Sequence, residues 1–341
     1  MGQQPAARAA VMSDVARLAG VSHQTVSRVL NNHPSVRQET RERVLRAVHQ
    51  LNYRPNALAR GLAGRRSRVI GVVSFDTILY GPAATLLGVE RAARAAGYGI
   101  NIVALEQLDR AGVMAAIDAL TEQSVAGVVL IAPMMTAAVA VHGLPTGVPA
   151  VVVESGSAGE LPTISVDQVT GARLAVEHLL DLGHETVWHV AGPRDWLEAR
   201  DRVDGWRLAL ESAGRRVPPV IVGDWSPRAG YEVGRSLVDR DDVSAVFCAN
   251  DHQALGLLRA LHQHGVRVPE DISVVGFDDI PEAEYFSPPL TTVRQDFDEV
   301  GRRCVGVLLE LLDADGSDGR RMRPQVEPTL VVRDSSGPRK G

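Results

Sequence analysis

The sequence predicts a small all-α head of helix-turn-helix type, a short linking helix, and a two-subdomain α/β core built on parallel sheets. Three observations predict it. Charge divides the chain: residues 1–68 hold 12 arginines against Asp14, Glu39 and Glu42, a net of +9, whereas the remainder is −14 and the whole 341-residue chain −5. The first fifty residues break into three stretches with apolar residues at helical spacing. From Arg68 onward, β-branched runs alternate with helical stretches, as parallel strands covered on both faces do. A chain of this length divides into two or three domains.

The first helix runs through Asp14, Val15, Ala16, Arg17, Leu18 and Ala19, with Ser13 as its expected cap and Asp14 in its first turn. Gly20-Val21 breaks it. Ser22 caps a second helix from His23 to about Asn31. Val26, Val29 and Leu30 face inward there; His23, Gln24, Ser27 and Arg28 face outward. A third helix over Arg37–Leu51 places Val44, Ala47, Val48 and Leu51 on one face. Two short helices across a glycine turn, closed by a third, form a helix-turn-helix unit. In such a unit the second helix enters the major groove. Arg28 offers a guanidinium fork to guanine and Gln24 an amide to adenine. Ser22, Thr25 and Asn31 suit phosphates. On spacing and charge alone, a basic solvated helix pair with no DNA role fits equally.

Pro55 ends the third helix at Leu51-Asn52-Tyr53-Arg54. Residues 56–64 then form a short helix, too short to persist without support. In the body, strand-like runs are Val69–Ser74, Ile100–Leu105, Gly127–Ile131, Ala150–Glu154, Thr186–Ala191, Val220–Val222, Ala245–Ala249 and Ile272–Phe277. Helical stretches include Ala83–Ala96, Val169–Leu182, Leu197–Ala213, Arg228–Val238 and Gln253–Gln263. Eight strands suffice for two subdomains. Residues 123–153 carry no charge, but Gly127, Pro133, Gly143, Pro145, Gly147 and Pro149 interrupt them, so they are buried strands and a helix rather than a membrane span.

Enzyme classes find little support. His184-Glu185-x-x-x-His189 has one residue too many to set two histidines on one helical face. There is no GxSxG, GxGxxG or Walker motif. Cys248 and Cys304, the only cysteines, have neither disulfide nor zinc-ligand spacing. No catalytic residue, cofactor or metal is expected. The start of the chain has no signal-like segment, so a cytoplasmic, nucleoid-associated protein is expected, without membrane contact.

The run Asp14-Val15-Ala16-x-x-Ala19-Gly20-Val21-Ser22-x-x-Thr25-Val26-Ser27-Arg28-Val29-Leu30-Asn31 resembles the signature of the lactose-repressor (LacI/GalR) family of bacterial transcription regulators. The body resembles that family too, at Ala191-Gly192-Pro193, Arg202-x-x-Gly205-Trp206, Gly223-Asp224-Trp225, Ala249-Asn250-Asp251, Asp271–Asp279 and Pro289–Phe297. The likeness is greatest to the member that gives the family its name. It implies base reading by His23, Gln24 and Arg28. It also implies a hinge helix at 56–64 that pairs at the operator centre, with Ala59 at the close approach and Leu62 as minor-groove wedge. The DNA-facing set is then Ser22, His23, Gln24, Thr25, Ser27, Arg28, Asn31, Asn56, Ala59 and Leu62.

For the core, the resemblance implies a periplasmic-binding-protein-like fold with a small molecule between two subdomains. The implied boundaries are 10–53 for the DNA-binding head, 54–67 for hinge and linker, 68–334 for the core and 335–341 for a tail. Within the core, the N-subdomain takes 68–165 and 295–323, the C-subdomain 166–293 and 324–334. Effector positions fall on Phe75, Leu79, Glu154, Arg202, Trp225, Asn250, Asp278 and Phe297. Arg202, Asp278 and Asn250 suit ring hydroxyls; Trp225, Phe75 and Phe297 suit apolar sugar faces. The alternative role for Arg202 and Asp278 is an ion pair bridging the subdomains. The implied protein is a repressor controlled by a sugar, a galactoside or other glycoside. The alternative is a non-sugar corepressor such as a nucleobase or phosphorylated metabolite. Glu154 and Leu130-Ile131-Ala132 depart from that member's pattern, so the sugar is expected to differ. No C-terminal leucine heptad follows, and a homodimer is expected.

Overall fold

A small apolar set closes the head. Helices α1 (Met12–Ala19), α2 (His23–Leu30) and α3 (Gln38–Gln50) meet on Val15, Ala16, Ala19, Val26, Val29, Val44 and Ala47, all buried. Gly20 ends α1 with φ of 62°, where a glycine is the natural residue. Ser22 caps α2 as expected, its hydroxyl accepting from the Thr25 amide at 3.1 Å. Ser13 does not cap α1. The helix starts one residue earlier, and Asp14 reaches back to the Val11 amide at 3.0 Å, already filling the capping role.

The computed structural model describes residues 11–30, 35–51, 67–75, 78–105, 109–132, 134, 148–153, 161–313 and 325–339. The head falls within a first compact unit ending at Ser67; the second runs from Arg68. Of the expected site residues, Asn31, Asn56, Ala59, Leu62 and Glu154 lie outside the described residues.

The second unit holds two sheets. The first contains β1 (Val69–Phe75), β2 (Gly99–Leu105), β3 (Gly127–Ile131), β4 (Ala150–Val153) and β5 (Thr163–Ile164), in the order β2-β1-β3-β4-β5, all parallel. Alternate side chains explain its near-continuous apolar strands. Val73, Val128, Leu130 and Val152 pack on α5 (Arg110–Glu122). Ile70, Val72, Val129, Ile131 and Val151 pack on the other face, with α4 (Tyr80–Ala95) and a helix from the far end of the chain, α10 (Phe297–Asp313). Helices α4 and α10 touch backbone to backbone: a Cβ on Gly88 would lie 2.2 Å from the Phe297 carbonyl oxygen, and one on Gly301 2.2 Å from Gly88. Helix α4 begins three residues before the expected Ala83, because Pro82 fits a first turn, where no intrahelical donor is needed.

The second sheet runs β11-β10-β9-β8-β6-β7, with β6 (Trp188–Ala191), β7 (Ile221–Val222), β8 (Ala245–Cys248), β9 (Ser273–Asp278), β10 (Thr291–Arg294) and β11 (Thr329–Val331). Only β11 is antiparallel. Helices α6 (Gln168–Asp181) and α7 (Leu197–Ser212) cover one face around Trp206, Phe247 and Phe277. Helices α8 (Pro227–Leu237) and α9 (Asp251–Gln263) cover the other. Strands β5, β10 and β11 are absent from the sequence reading, being two to four residues long with no sustained apolar run. Strand β6 starts at Trp188 rather than Thr186. The Thr186 hydroxyl donates to the Arg216 carbonyl, and the Val187 carbonyl accepts from Trp206, so neither joins the ladder.

The two halves are joined by three crossings of the chain. Two are zipped together: Val326 and Val166 form a bridge, the Val326 amide donating to the Ser165 carbonyl at 2.8 Å and the Asp167 amide to the Val326 carbonyl at 3.0 Å. The third runs from β10 through Gln295 into α10.

His184 and His189 share no ligand role here. His184 bonds to Ser244 and Ser273, while His189 lies fully buried against Phe247, ring centroids 4.7 Å apart. Among the described residues no cluster of histidine, cysteine or acid is placed to hold a metal ion, and no helix is long and apolar enough to cross a membrane. Both cysteines are buried and free.

Burial pushes the His189 imidazole down to about 4. As pH falls, the unfolded chain therefore takes up its proton first. Stability from this residue is intact above about 6.5 and is lost progressively between 6.5 and about 4. Urea unfolding at pH 7 and pH 5 should show a loss on the order of 2 kcal/mol from this group. His189→Phe should lack that component; an unchanged pH dependence would refute the assignment.

Candidate functional site

The parallel strands of both sheets end toward a shared cleft, which is where helices begin and their unpaired amides point. Three of the four helix starts around it are capped by a side chain. Asp167 caps α6, accepting from the Thr170 amide at 2.9 Å. Ser226 caps α8 ahead of Pro227, and Asn250 caps α9 through the Gln253 amide at 2.9 Å. Helix α7 begins just after Trp196. The cleft encloses about 310 Å³. Tyr80 and Phe297 line it from the first sheet's side, edge to face at 5.9 Å; Trp196 and Trp225 line it from the second, edge to face at 5.5 Å.

At its floor lies a closed ring of buried polar side chains. Arg202 Nε donates to Gln168 Oε1 at 2.9 Å, Gln168 Nε2 donates to Gln295 Oε1 at 2.8 Å, and Gln295 Nε2 donates to Asp278 Oδ1 at 2.8 Å. Asp278 closes the ring as the ion partner of Arg202, 3.7 Å away. Arg202 also donates to the Ala249 carbonyl and stacks over Phe277, its guanidinium carbon 3.8 Å from the ring centre. The ring joins α6, α7, the end of β9 and the third crossing.

Charge and strain concentrate here. Burial raises the Asp278 carboxyl to about 6 even though Arg202 pulls it down. The Tyr80 phenol rises to about 12, first from burial and then from Asp278, Asp251 and Asp279. Trp225, Asp278 and Asp279 have φ of 70°, 112° and 52°. Such backbone costs about 1–3 kcal/mol per residue and persists only where its surroundings hold it. Here Asn250 Nδ2 binds the Trp225 carbonyl at 3.0 Å. Asp279 accepts from Arg294 and Arg333 at 2.6 and 2.8 Å. Gly192 leaves room for the indole, which a Cβ would meet at 2.3 Å.

Of the expected effector residues, Leu79, Arg202, Trp225, Asn250, Asp278 and Phe297 line this one cavity. Phe75 does not. It packs, half-buried at the end of β1, against the Trp196–Trp225 cluster. The sequence reading missed Tyr80, Gln168, Trp196, Glu198, His252 and Gln295, all lining the cavity. Only Glu198 had a signal, four residues before Arg202 on one helical face. Glutamines and a residue reached by a chain crossing carry none.

In the head, Ser22, His23, Gln24 and Arg28 are exposed on one side of α2, and Thr25 and Ser27 are half-buried. This presents a polar face opposite Val26 and Val29.

Comparison with known proteins adds the following. Residues 11–56 match the model of bacterial regulatory proteins of the lacI family, and residues 176–336 that of the periplasmic binding protein-like domain. The lactose operon repressor of Escherichia coli (strain K12) is 37% identical over 318 residues, 91% of this chain and 87% of that protein. The HTH-type transcriptional repressor PurR of Haemophilus influenzae is 33% identical over 331 residues, 96% and 98% of the two chains. The crystal structure of the lac repressor dimer bound to operator and the anti-inducer ONPF superposes with a TM-score of 0.87 at 34% identity, covering 97% of this chain and 100% of that one.

Removing one member of the Arg202–Asp278 pair leaves the other buried and uncompensated. Arg202→Met should therefore cost about 3–5 kcal/mol in urea unfolding. Adding Asp278→Asn should recover part of that loss, with a coupling of about 0.5–3 kcal/mol. Strictly additive losses would show that the two side chains are not partners.

Proposed function

The chain belongs to the lacI family of bacterial regulatory proteins, and from that premise we propose that it is a transcriptional repressor whose operator affinity is set by a small sugar, a galactoside or other glycoside, bound in the core cleft. The observation that carries the effector half is the cavity of about 310 Å³ with aromatic walls on both sides and the Arg202–Gln168–Gln295–Asp278 ring at its floor. Flat apolar walls take the C–H faces of a pyranose. A guanidinium, two amides and a carboxylate supply both donors and acceptors for its hydroxyls.

The charge of the cavity favours a neutral ligand over a phosphorylated one. Among its described lining residues the basic side chains are Arg202 and His252, against Glu198 and Asp278. Arg202 is already engaged with Gln168, the Ala249 carbonyl and Asp278. The one guanidinium among these residues is therefore committed to protein groups rather than left for a phosphate.

On the DNA side, the exposed face of α2 supports reading of base edges by His23, Gln24 and Arg28, with Ser22, Thr25 and Ser27 toward the backbone. The expected partner state is a homodimer, one head per half-site. A ligand that prefers one arrangement of the two core halves shifts operator affinity, and the operator shifts ligand affinity by the same factor.

Operator binding, measured on a palindrome upstream of the chain's own or a neighbouring gene, should fall at least tenfold with one member of a saccharide panel, about 1.4 kcal/mol. DNA binding that no saccharide changes would sink the sugar reading and leave the head standing. Arg28→Ala should cost about 1–3 kcal/mol of discrimination at one base pair; equal weakening on all sequences would place Arg28 on phosphates. Affinity should also fall with salt by about 0.9 log units per log unit for each phosphate contact.

A further inference from the structure

Glu198 stands one helical turn before Arg202 on α7 and lines the same cavity. Arg202 turns away from it, toward Gln168, Ala249 and Asp278. Glu198 Oε2 is sealed from solvent and has no hydrogen-bond partner. A second polar atom of the lining, Trp225 Nε1, is buried without a partner too. Buried polar atoms are rarely left unpaired, and a buried carboxylate without a counter-charge is costlier still. Arg202 acts on the Glu198 carboxyl through its charge but spends its hydrogen bonds on Gln168 and Ala249, which leaves Oε2 without a donor.

The geometry points to Glu198 as the specificity-determining residue of the cleft, accepting hydrogen bonds from donor groups of the effector, clustered hydroxyls or an ammonium, and turning away ligands that carry a phosphate or carboxylate. This rests on the sugar reading above and narrows it. A donor from the ligand completes Oε2, while an anion placed beside it meets a like charge at a buried oxygen. Clustered hydroxyls and an ammonium share that donor chemistry and differ in charge, so the two can be told apart.

The titratable groups around Glu198 are Arg202 and Asp201 on its own helix, Asp278 at the end of β9, and Tyr80 and His252 in the same cavity. Burial raises the Glu198 carboxyl to about 7, against the pull of Arg202. A carboxyl raised in the folded state stabilises below its unfolded value, and that contribution is lost as pH rises through about 7. The unliganded protein therefore carries this carboxylate at a cost in stability at high pH, as expected of a group whose partner arrives with the ligand.

The test uses the full chain and its Glu198→Gln variant. Thermal unfolding should show the variant more stable than the parent at pH 8 and equal to it at pH 5; an equal loss at both would make the carboxyl a structural partner and overturn the proposal. Calorimetric titration then uses D-galactose, D-galactosamine, D-galactose 6-phosphate and hypoxanthine. The parent should bind galactose or galactosamine at least tenfold more tightly than the 6-phosphate, and Glu198→Gln should close that gap to within threefold. Galactosamine losing more affinity than galactose on substitution identifies an ammonium as the preferred donor. A 6-phosphate that binds as well as galactose, or a gap unchanged by the substitution, overturns the proposal. Hypoxanthine alone binding, and losing tenfold in the variant, would sink the sugar reading while retaining Glu198. Binding of none of the four would overturn both.

Discussion

The buried ring through Arg202, Gln168, Gln295 and Asp278 is the constraint on which the rest of the core depends. A guanidinium with almost no solvent access must have its donors met by protein, and here they are met by α6, the end of β8 and the end of β9. Gln295 brings in the chain crossing that leads to α10. The elements carrying these partners are thereby fixed at the floor of the cleft, where the strained backbone of Asp278 also sits. An ion pair of this kind adds little net stability over an apolar replacement, but it is costly to break on one side. Its value is therefore in specifying one arrangement of the groups that face a ligand.

Around that ring, close backbone approach does the positioning. Gly88 and Gly301 let α4 and α10 touch, which sets Tyr80 and Phe297 edge to face. Gly192 admits the Trp225 indole, whose carbonyl is then held by the cap of α9. Apolar walls and polar floor thus come from separate devices: glycines make the walls, and side-chain hydrogen bonds make the floor. Glu198 belongs to neither, and its Oε2 is left without a hydrogen-bond partner beside the cavity.

Much of this was legible in the sequence where a residue acts through its own helix or strand. Ser22 and Gly20 marked the helix start and the turn of the head by local capping, and the motif around them supplied the helix-turn-helix reading. Eight of the strands announced themselves by apolar, largely β-branched runs. Arg202, Trp225, Asn250, Asp278, Leu79 and Phe297 were recognisable from motif resemblance. Phe75 lies against the two tryptophans of the cavity wall rather than among the lining residues, and a resemblance fixes a position in the chain without the direction of a side chain at a strand end. Gln168 and Gln295 were invisible because each matters through partners on other elements, and the bond that joins the two spans 127 positions.

What the sequence determined by itself is the local order: helical head, basic charge, alternating strands and helices, and the residue types available for a polar ligand. Those follow from capping, periodicity and burial, which act over a few residues. The tertiary structure decided which of those residues share a cavity, that Arg202 spends its donors on protein, and that Glu198 Oε2 is left without a hydrogen-bond partner. These depend on three crossings of the chain between the sheets and on glycine contacts between distant helices. Such contacts are set by the packing of whole elements, and no window of sequence contains both sides of them.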